Sequence, residues 1–219
     1  MEIVTIEGGF DRNLCYLLAR DDAPDREAVL IDASASADRI LSELAARRWR
    51  LACIAITHGH GDHIVSLPPL LRDTDAVLAA WRDSAVLDHA PPTRRRPLDD
   101  GAWLEVAGVR LQALYTPGHA DDHLCYYAPE AQALFTGDLL FVGRPGRTAG
   151  VGQDPRQQYR SLRDRIAPLP GAVRILPGHD YGPVPSRSLA EERAANRWLQ
   201  AQDEDEFVRI CEAYEASRR

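Results

Sequence analysis

The sequence contains no lysine, and all 26 of its basic residues are arginines. The 33 acidic residues outnumber them, and the net charge of -7 excludes the overall positive field typical of nucleic-acid binding. No apolar run approaches the roughly 20 residues that a membrane-spanning helix needs, and Met1–Phe10 lacks the basic and apolar segments of a signal peptide. The four cysteines are scattered without a CxxC pair, as is typical of reduced, buried thiols. We therefore expect a cytoplasmic globular protein with no nucleic-acid or membrane partner.

The hydrophobic pattern predicts one domain, 1–219, in which a block of strands followed by helices occurs twice. In the first half we predict strands at Ile3–Ile6, Leu14–Leu18, Ala28–Ile31 and Leu51–Ile56, a hairpin loop at Arg20–Arg26, and helices at Ala37–Arg48 and near Pro69–Arg72. The second half predicts strands at Trp103–Val106, Val109–Tyr115, Leu124–Tyr127, Ala133–Phe135 and Val173–Leu176, with a helix at Pro155–Ile166. Two polar helices, Leu189–Gln200 and Glu204–Ala216, form a helical C-terminal extension over 186–219. The proline-containing stretch His89–Asp100 predicts a surface loop, whose arginines 94–96 are either solvated or form a rim for an anionic substrate.

The strongest chemical signal is a run of metal-ligand types directly after the predicted strand Leu51–Ile56. His58, His60, Asp62 and His63 fall within six residues, separated by glycines. Imidazole and carboxylate are ligands that zinc, iron and manganese accept. Because packed cores avoid unpaired polar groups, a purely structural explanation for this run is poor. The run therefore predicts a metal site.

Three more ligand types share one pattern, an apolar strand followed by glycine and the ligand. They are His119 after Gly118, Asp138 after Gly137 and His179 after Gly178. A lone histidine after a strand is more often a surface residue, but three such positions together with the His/Asp run predict a single site.

These motifs resemble those of the metallo-β-lactamase fold superfamily, in which His-x-His-x-Asp-His is followed by a histidine, a bridging aspartate and a final histidine. The resemblance implies an α/β protein, an αββα four-layer sandwich of two mixed sheets with helices on both outer faces. It also implies one or two divalent metal ions, with zinc preferred and iron as the alternative. One ion would bind His58, His60 and His119, and the other Asp62, His63 and His179, with Asp138 bridging. Asp62 would also orient the attacking water and is the catalytic candidate.

Residues 141–148 resemble the Gly-Cys-Gly-Arg stretch of glyoxalase II and persulfide dioxygenases, which helps to hold glutathione. The resemblance implies that Arg147 pairs with a glutathione carboxylate and that Tyr181 donates a hydrogen bond to the substrate. His123 is a further candidate for substrate contact, with a supporting or surface role as the alternative. We expect a small anionic substrate, with a glutathione-linked one as the leading candidate, and a homodimer stays open.

Four functions remain to be weighed. The first is a glyoxalase II-like hydrolase, in which a metal-bound hydroxide cleaves a thioester or ester. The second is a persulfide dioxygenase with one iron on His58, His119 and Asp138, since two histidines and a carboxylate suit iron and O₂. A nuclease is disfavoured by the acidic chain, and a non-catalytic scaffold by the presence of all seven ligand types. Pro145 and Ala149–Gly150 depart from the glutathione-binding stretch, which favours the first function by a small margin.

Overall fold

The computed structural model describes residues 1–20, 26–106 and 108–217, so residues 21–25 of the predicted hairpin loop lie outside the described part. The first six strands are β1 Glu2–Glu7, β2 Leu14–Ala19, β3 Glu27–Ile31, β4 Arg50–Ala55, β5 Val77–Trp81 and β6 Arg95–Leu98. The remaining strands are β7 Trp103–Val106, β8 Val109–Tyr115, β9 Leu124–Ala128, β10 Ala133–Gly137, β11 Leu140–Phe141, β12 Arg144–Pro145, β13 Arg174–Pro177 and β14 Arg187–Ser188. The α-helices are α1 Ala37–Arg47, α2 Leu67–Asp73, α3 Pro155–Arg160, α4 Leu189–Ala195 and α5 Glu204–Ala216.

Two six-stranded sheets form the centre of the protein. One has the order β1-β2-β3-β4-β5-β6 and the other β14-β13-β10-β9-β8-β7, while β11 and β12 form a separate ribbon. Both sheets are mixed, since β1, β2 and β3 pair antiparallel whereas β3, β4, β5 and β6 pair parallel, and β10 pairs parallel with β13 but antiparallel with β9.

Alternation along the strands creates three apolar layers. Leu17, Leu30 and Ile54 pack toward α1 and α2, whereas their neighbours Tyr16 and Val29 face the second sheet. The other face of the second sheet packs against the helices of the C-terminal half. The predicted αββα sandwich is therefore confirmed. Within the described residues, no helix is long and apolar enough to cross a bilayer.

The first sheet contains two strands that were not predicted from the sequence, β5 and β6. The stretch His89–Asp100 is not a loop throughout, because β6 pairs in parallel with β5 at the edge of the sheet. Pro97 and the exposed Arg96 are residue types typical of loops, so they hid this strand from prediction. An edge strand tolerates both, because one of its sides has no partner strand. Arg94 donates to the main-chain carbonyls of Leu71 and Thr74, which argues against a free rim of arginines.

Two predicted helices differ in their second halves. The helix predicted at Pro155–Ile166 is α-helical to Arg160 and continues as a π-helix over Ser161–Ile166. The helix predicted at Leu189–Gln200 ends at Ala195. The Asn196 side chain donates to Glu192 and accepts from the Trp198 amide, offering the backbone an alternative to a further turn.

Candidate metal centre

The seven predicted ligands meet at one edge of the sandwich. The run from His58 to His63 follows β4 of the first sheet, and its last part forms a 3₁₀ turn over Gly61–His63. The other three follow strands of the second sheet, His119 after β8, Asp138 after β10 and His179 after β13. Sequence-distant residues are thus brought together because these strands end at the same edge.

The ligand atoms form overlapping groups that could hold metal ions. Within each group, the atoms lie within 4.8 Å of one another, and the groups are His58/His60/His119, His58/His63/Asp138 and Asp62/His63/His179. His60 Nδ1 lies 3.0 Å from Nε2 of both His58 and His119. Asp62 Oδ2 lies 3.3 Å from His179 Nε2. His60 is the exposed member of its group, so the cluster opens to solvent on that side.

Asp138 lies between the group His58/His60/His119 and the group Asp62/His63/His179. Its Oδ2 is 3.5 Å from Nε2 of both His119 and His179, and its Oδ1 is 3.3 Å from His63 Nε2. Asp138 Oδ1 and His63 Nε2 are nevertheless buried without a hydrogen-bond partner. Such orphaned polar atoms are costly unless an ion satisfies them, so the donor set fits divalent metals.

The pKa values of His58 and Asp138 favour the forms that bind metals, whereas Asp138 and Asp32 outweigh burial and raise the pKa of His63, where a metal ion would displace a proton. Burial and then the neighbouring imidazoles lower the pKa of His58 well below its ordinary value, which keeps the ring neutral. Burial would raise the pKa of Asp138, but His63, His119 and His179 outweigh it and leave the pKa below its ordinary value. A neutral imidazole and an ionised carboxylate are the forms that bind metals.

Outer contacts orient four of the five ligand histidines by engaging Nδ1, which leaves Nε2 directed into the cluster. His63 Nδ1 lies 2.9 Å from Asp32 Oδ2, and His58 Nδ1 lies 3.0 Å from Thr57 Oγ1. His119 and His179 engage main-chain carbonyls in the same way, those of Arg147 at 2.8 Å and Asp11 at 2.9 Å. Such contacts fix the tautomer and the ring orientation.

Sequence reasoning missed two of the supporting residues. Asp32 follows β3 as the histidine run follows β4, so its place at a strand end was a usable signal. Its carboxylate accepts from the Thr57 amide at 2.8 Å as well as contacting His63. Asn13 is fully buried and donates to Asp62 Oδ2 at 3.1 Å. No local motif marks Asn13.

The structure corrects the prediction that His123 contacts the substrate. The ring is fully buried, with Nδ1 2.9 Å from Thr116 Oγ1, and its Nε2 accepts from the Asp138 amide at 3.2 Å. Because both ring nitrogens are engaged by protein atoms, His123 supports the backbone of Asp138 and has no nitrogen left to bind a substrate.

Substrate binding by Tyr181 stays a prediction. Its hydroxyl donates to the exposed Asp11 Oδ2, a contact that a substrate acceptor can replace, and its ring stacks on His179 with centroids 4.7 Å apart. The stacked ring braces His179. Arg147 points its guanidinium at Glu215 of α5, at 3.3 Å. Carboxylate binding by Arg147 stays a prediction, since an exposed ion pair of this kind exchanges at little cost.

Gly178 lies directly against two of the ligand side chains. A Cβ there would lie 2.7 Å from both Asp138 Oδ1 and His63 Cε1, within the space of two ligands. We expect Gly178→Ala to weaken metal retention and turnover by about 10–100-fold, the range for changes beside metal ligands. Gly61→Ala is the matched control, because a Cβ at Gly61 meets nothing within 4 Å. Equal metal content in both variants would contradict this close approach.

Comparison with known proteins agrees with this geometry. The sequence profile of the Metallo-beta-lactamase superfamily matches residues 8–179. The chain belongs to this superfamily. Its structure is similar to that of ETHE1 from Myxococcus xanthus, with a TM-score of 0.85 and 30% identity over 97% of this chain and 90% of that one.

Two superfamily relatives carry hydrolase names. A probable polyketide biosynthesis zinc-dependent hydrolase, PksB of Bacillus subtilis, is 28% identical over 90% of this chain and 86% of its own length. The hydroxyacylglutathione hydrolase of Ectopseudomonas mendocina is 34% identical over 78% of this chain. The match spans only 63% of that hydrolase's length. The prediction of a metal-dependent hydrolase of this superfamily is confirmed at this level.

Proposed function

We propose that the protein hydrolyses a thioester at a centre of two zinc ions. One ion would bind His58, His60 and His119, the other Asp62, His63 and His179, with Asp138 shared. The position of Asp138 Oδ2, equidistant at 3.5 Å from His119 Nε2 and His179 Nε2, carries this proposal. Two such ions, when bound, would lower the pKa of a water and polarise the thioester carbonyl. The zinc-dependent and hydroxyacylglutathione hydrolases among its relatives support this function.

Asp62 is the residue that we assign to the attacking water. Its side chain is 30% exposed, so it can face a water at the cluster while Asn13 holds its Oδ2. The ionised form is favoured, because His179, His63 and Asn13 outweigh burial and lower the pKa of Asp62 below its ordinary value. In the proposed reaction, Asp62 orients the water and accepts its proton as the water oxygen attacks the carbonyl carbon. The C–S bond then breaks, and the departing thiolate takes that proton, so that a carboxylic acid and a thiol are released.

We further propose that the anionic part of the substrate binds beside Arg144. The Arg144 guanidinium carbon lies 4.6 Å from the Tyr181 ring centroid and 5.0 Å from that of Phe141. Within the described residues it has no ion pair with a carboxylate, whereas Arg147 is paired with Glu215. The ring contacts restrain Arg144 without using its N–H groups. These groups can therefore donate hydrogen bonds to a substrate carboxylate.

Substitution of the two arginines tests this placement. We expect Arg144→Ala to raise KM for S-lactoylglutathione about 10-fold or more, the loss of a charged hydrogen bond, and to change kcat little. Binding in ground and transition states alike produces this split. Arg147→Ala should have a smaller effect, and it leaves the main-chain carbonyl that orients His119. Steady-state kinetics would refute the placement if both variants kept the wild-type KM. If S-lactoylglutathione is not hydrolysed at all, the glutathione-linked substrate is wrong.

Persulfide dioxygenation is the second candidate function. Asp138 together with His58 and His119 supplies the two histidines and one carboxylate that suit a single iron, and Asp138 Oδ2 lies 3.5 Å from His119 Nε2. Metal analysis of anaerobically purified protein, with parallel thioester and persulfide assays, separates the two. Zinc with thioester hydrolysis supports the first function, and one iron with O₂ uptake on glutathione persulfide the second.

A further inference from the structure

A cavity of about 370 Å³ opens beside His60, on the exposed side of the metal cluster. Its size lies within the range of small-molecule sites. The walls come from the loop after β4, the turn after β5, the turn after β8 and the loop before α3. Apolar side chains provide much of the lining, among them Ile64, Val86 and Ala120.

The charges around this cavity are unusual for a site expected to bind anions. No arginine lies among the described residues that line it, and the carboxylates are Asp121 and Asp122. Asp122 is engaged, since its Oδ2 accepts from Ser84 Oγ at 2.5 Å and its Oδ1 from the Gly59 amide at 3.3 Å. The exposed Asp121 carboxylate has no hydrogen bond or ion pair in the described part of the chain. A Cβ at Gly152 would lie 3.6 Å from Asp121 Oδ2, so this carboxylate sits at the cavity wall beside the loop before α3.

The region beside His179 has the opposite character. There Tyr181 stacks on His179, and Arg144 lies over the Tyr181 ring. A substrate whose carbonyl sits at the cluster can therefore extend one half toward Arg144 and the other into the cavity beside His60. The first half meets an available cation, and the second meets apolar walls and Asp121.

We propose that the cavity beside His60 binds the acyl half of the thioester and selects uncharged or cationic acyl groups over anionic ones. This inference rests on the proposed thioester hydrolysis and adds its acyl specificity. Asp121 is the specificity residue, because a carboxylate on the acyl chain would be brought next to it with no arginine to compensate. Discrimination of this kind is a difference between affinities, achieved here by repulsion. The ring of His89 also lines the cavity.

Three N-acetylcysteamine thioesters of similar acyl length test the proposal. The butanoyl, 3-aminopropanoyl and malonyl thioesters share one neutral thiol and differ chiefly in acyl charge. We expect kcat/KM for the malonyl thioester to be about 10-fold below that for the butanoyl thioester, as for like charges about 6 Å apart at an effective dielectric constant of about 40, between those of the protein surface and of bulk water. The 3-aminopropanoyl thioester should be at least as good as the butanoyl one. Asp121→Asn should reduce the malonyl penalty to about threefold or less.

Asp75→Asn is the matched control, since it removes the same charge from an exposed residue before β5, at the opposite end of that strand from the cluster. It should leave the order of the three substrates unchanged. Ketone analogues, with CH₂ in place of the thioester sulfur, allow binding to be measured by calorimetry without turnover. If the ketones bind in the predicted charge order but no thioester is cleaved, the acyl specificity stands and the hydrolase function fails. Equal binding and cleavage of all three charges, or a malonyl penalty that survives Asp121→Asn, overturns the acyl specificity.

Discussion

Asp138→Ala should remove most of the bound metal and lower turnover by more than about 100-fold, beyond the effect of losing an outer contact. The carboxylate lies within 3.5 Å of Nε2 of His63, His119 and His179. Its loss leaves these buried imidazoles without the one anion that they share, and it removes the group that neutralises both ions. Metal content by mass spectrometry and thioester turnover, measured on the same preparation, check this result.

Asp138→Asn separates charge from shape. The amide keeps the volume of the carboxylate but not its charge, so we expect a loss of metal close to that of Asp138→Ala. Asp75→Asn, remote from the cluster, controls for removal of a negative charge alone. The shared role of Asp138 would be refuted by full metal occupancy and unchanged turnover in Asp138→Ala, with the fold verified by circular dichroism.

The sequence predicted the seven clustered residues because each carries a local signal. His58, His60, Asp62 and His63 are adjacent in the chain, and the other three directly follow strand-glycine patterns. The residues that support them have no such signal. Asn13 reaches Asp62 across 49 positions and His179 across 166, so only the folded sheets reveal these contacts.

Contacts between residues far apart in the chain, which the sequence does not show, set the surroundings of individual side chains. His123 looked available in the sequence, but its place directly before β9 puts the ring under Asp138. The direction of the Arg147 guanidinium is set by its ion pair with Glu215 of α5, which is 68 positions away in the chain. Strand β6 was missed for a different reason. Its proline and arginines are typical of loops, and only the parallel pairing with β5 makes the segment a strand.

Removal of the metal should abolish thioester hydrolysis and lower the melting temperature. His63 Nε2 and Asp138 Oδ1 are buried without hydrogen-bond partners in the protein, and bound ions would satisfy both. An ion present at 1,000 times its Kd stabilises the folded state by about 4 kcal/mol, or about 8–16 °C for a chain of this size. Thermal melts before and after chelation, with turnover followed in parallel, measure both effects. A metal-free protein that melts at the same temperature and retains full activity would show that the cluster is not a metal centre.

Restoring single metals to the stripped protein then decides between the two functions. Zn²⁺ should restore both the melting temperature and thioester hydrolysis, because six nitrogen and oxygen ligands around a shared carboxylate suit two zinc ions. Fe²⁺ added without oxygen should restore the melting temperature in either case, since imidazole and carboxylate bind both metals. The chemistry differs. The protein would be assigned to persulfide oxidation if the iron form takes up O₂ with glutathione persulfide and the zinc form hydrolyses no thioester. Asp138 would then bind a single iron and would not bridge two ions.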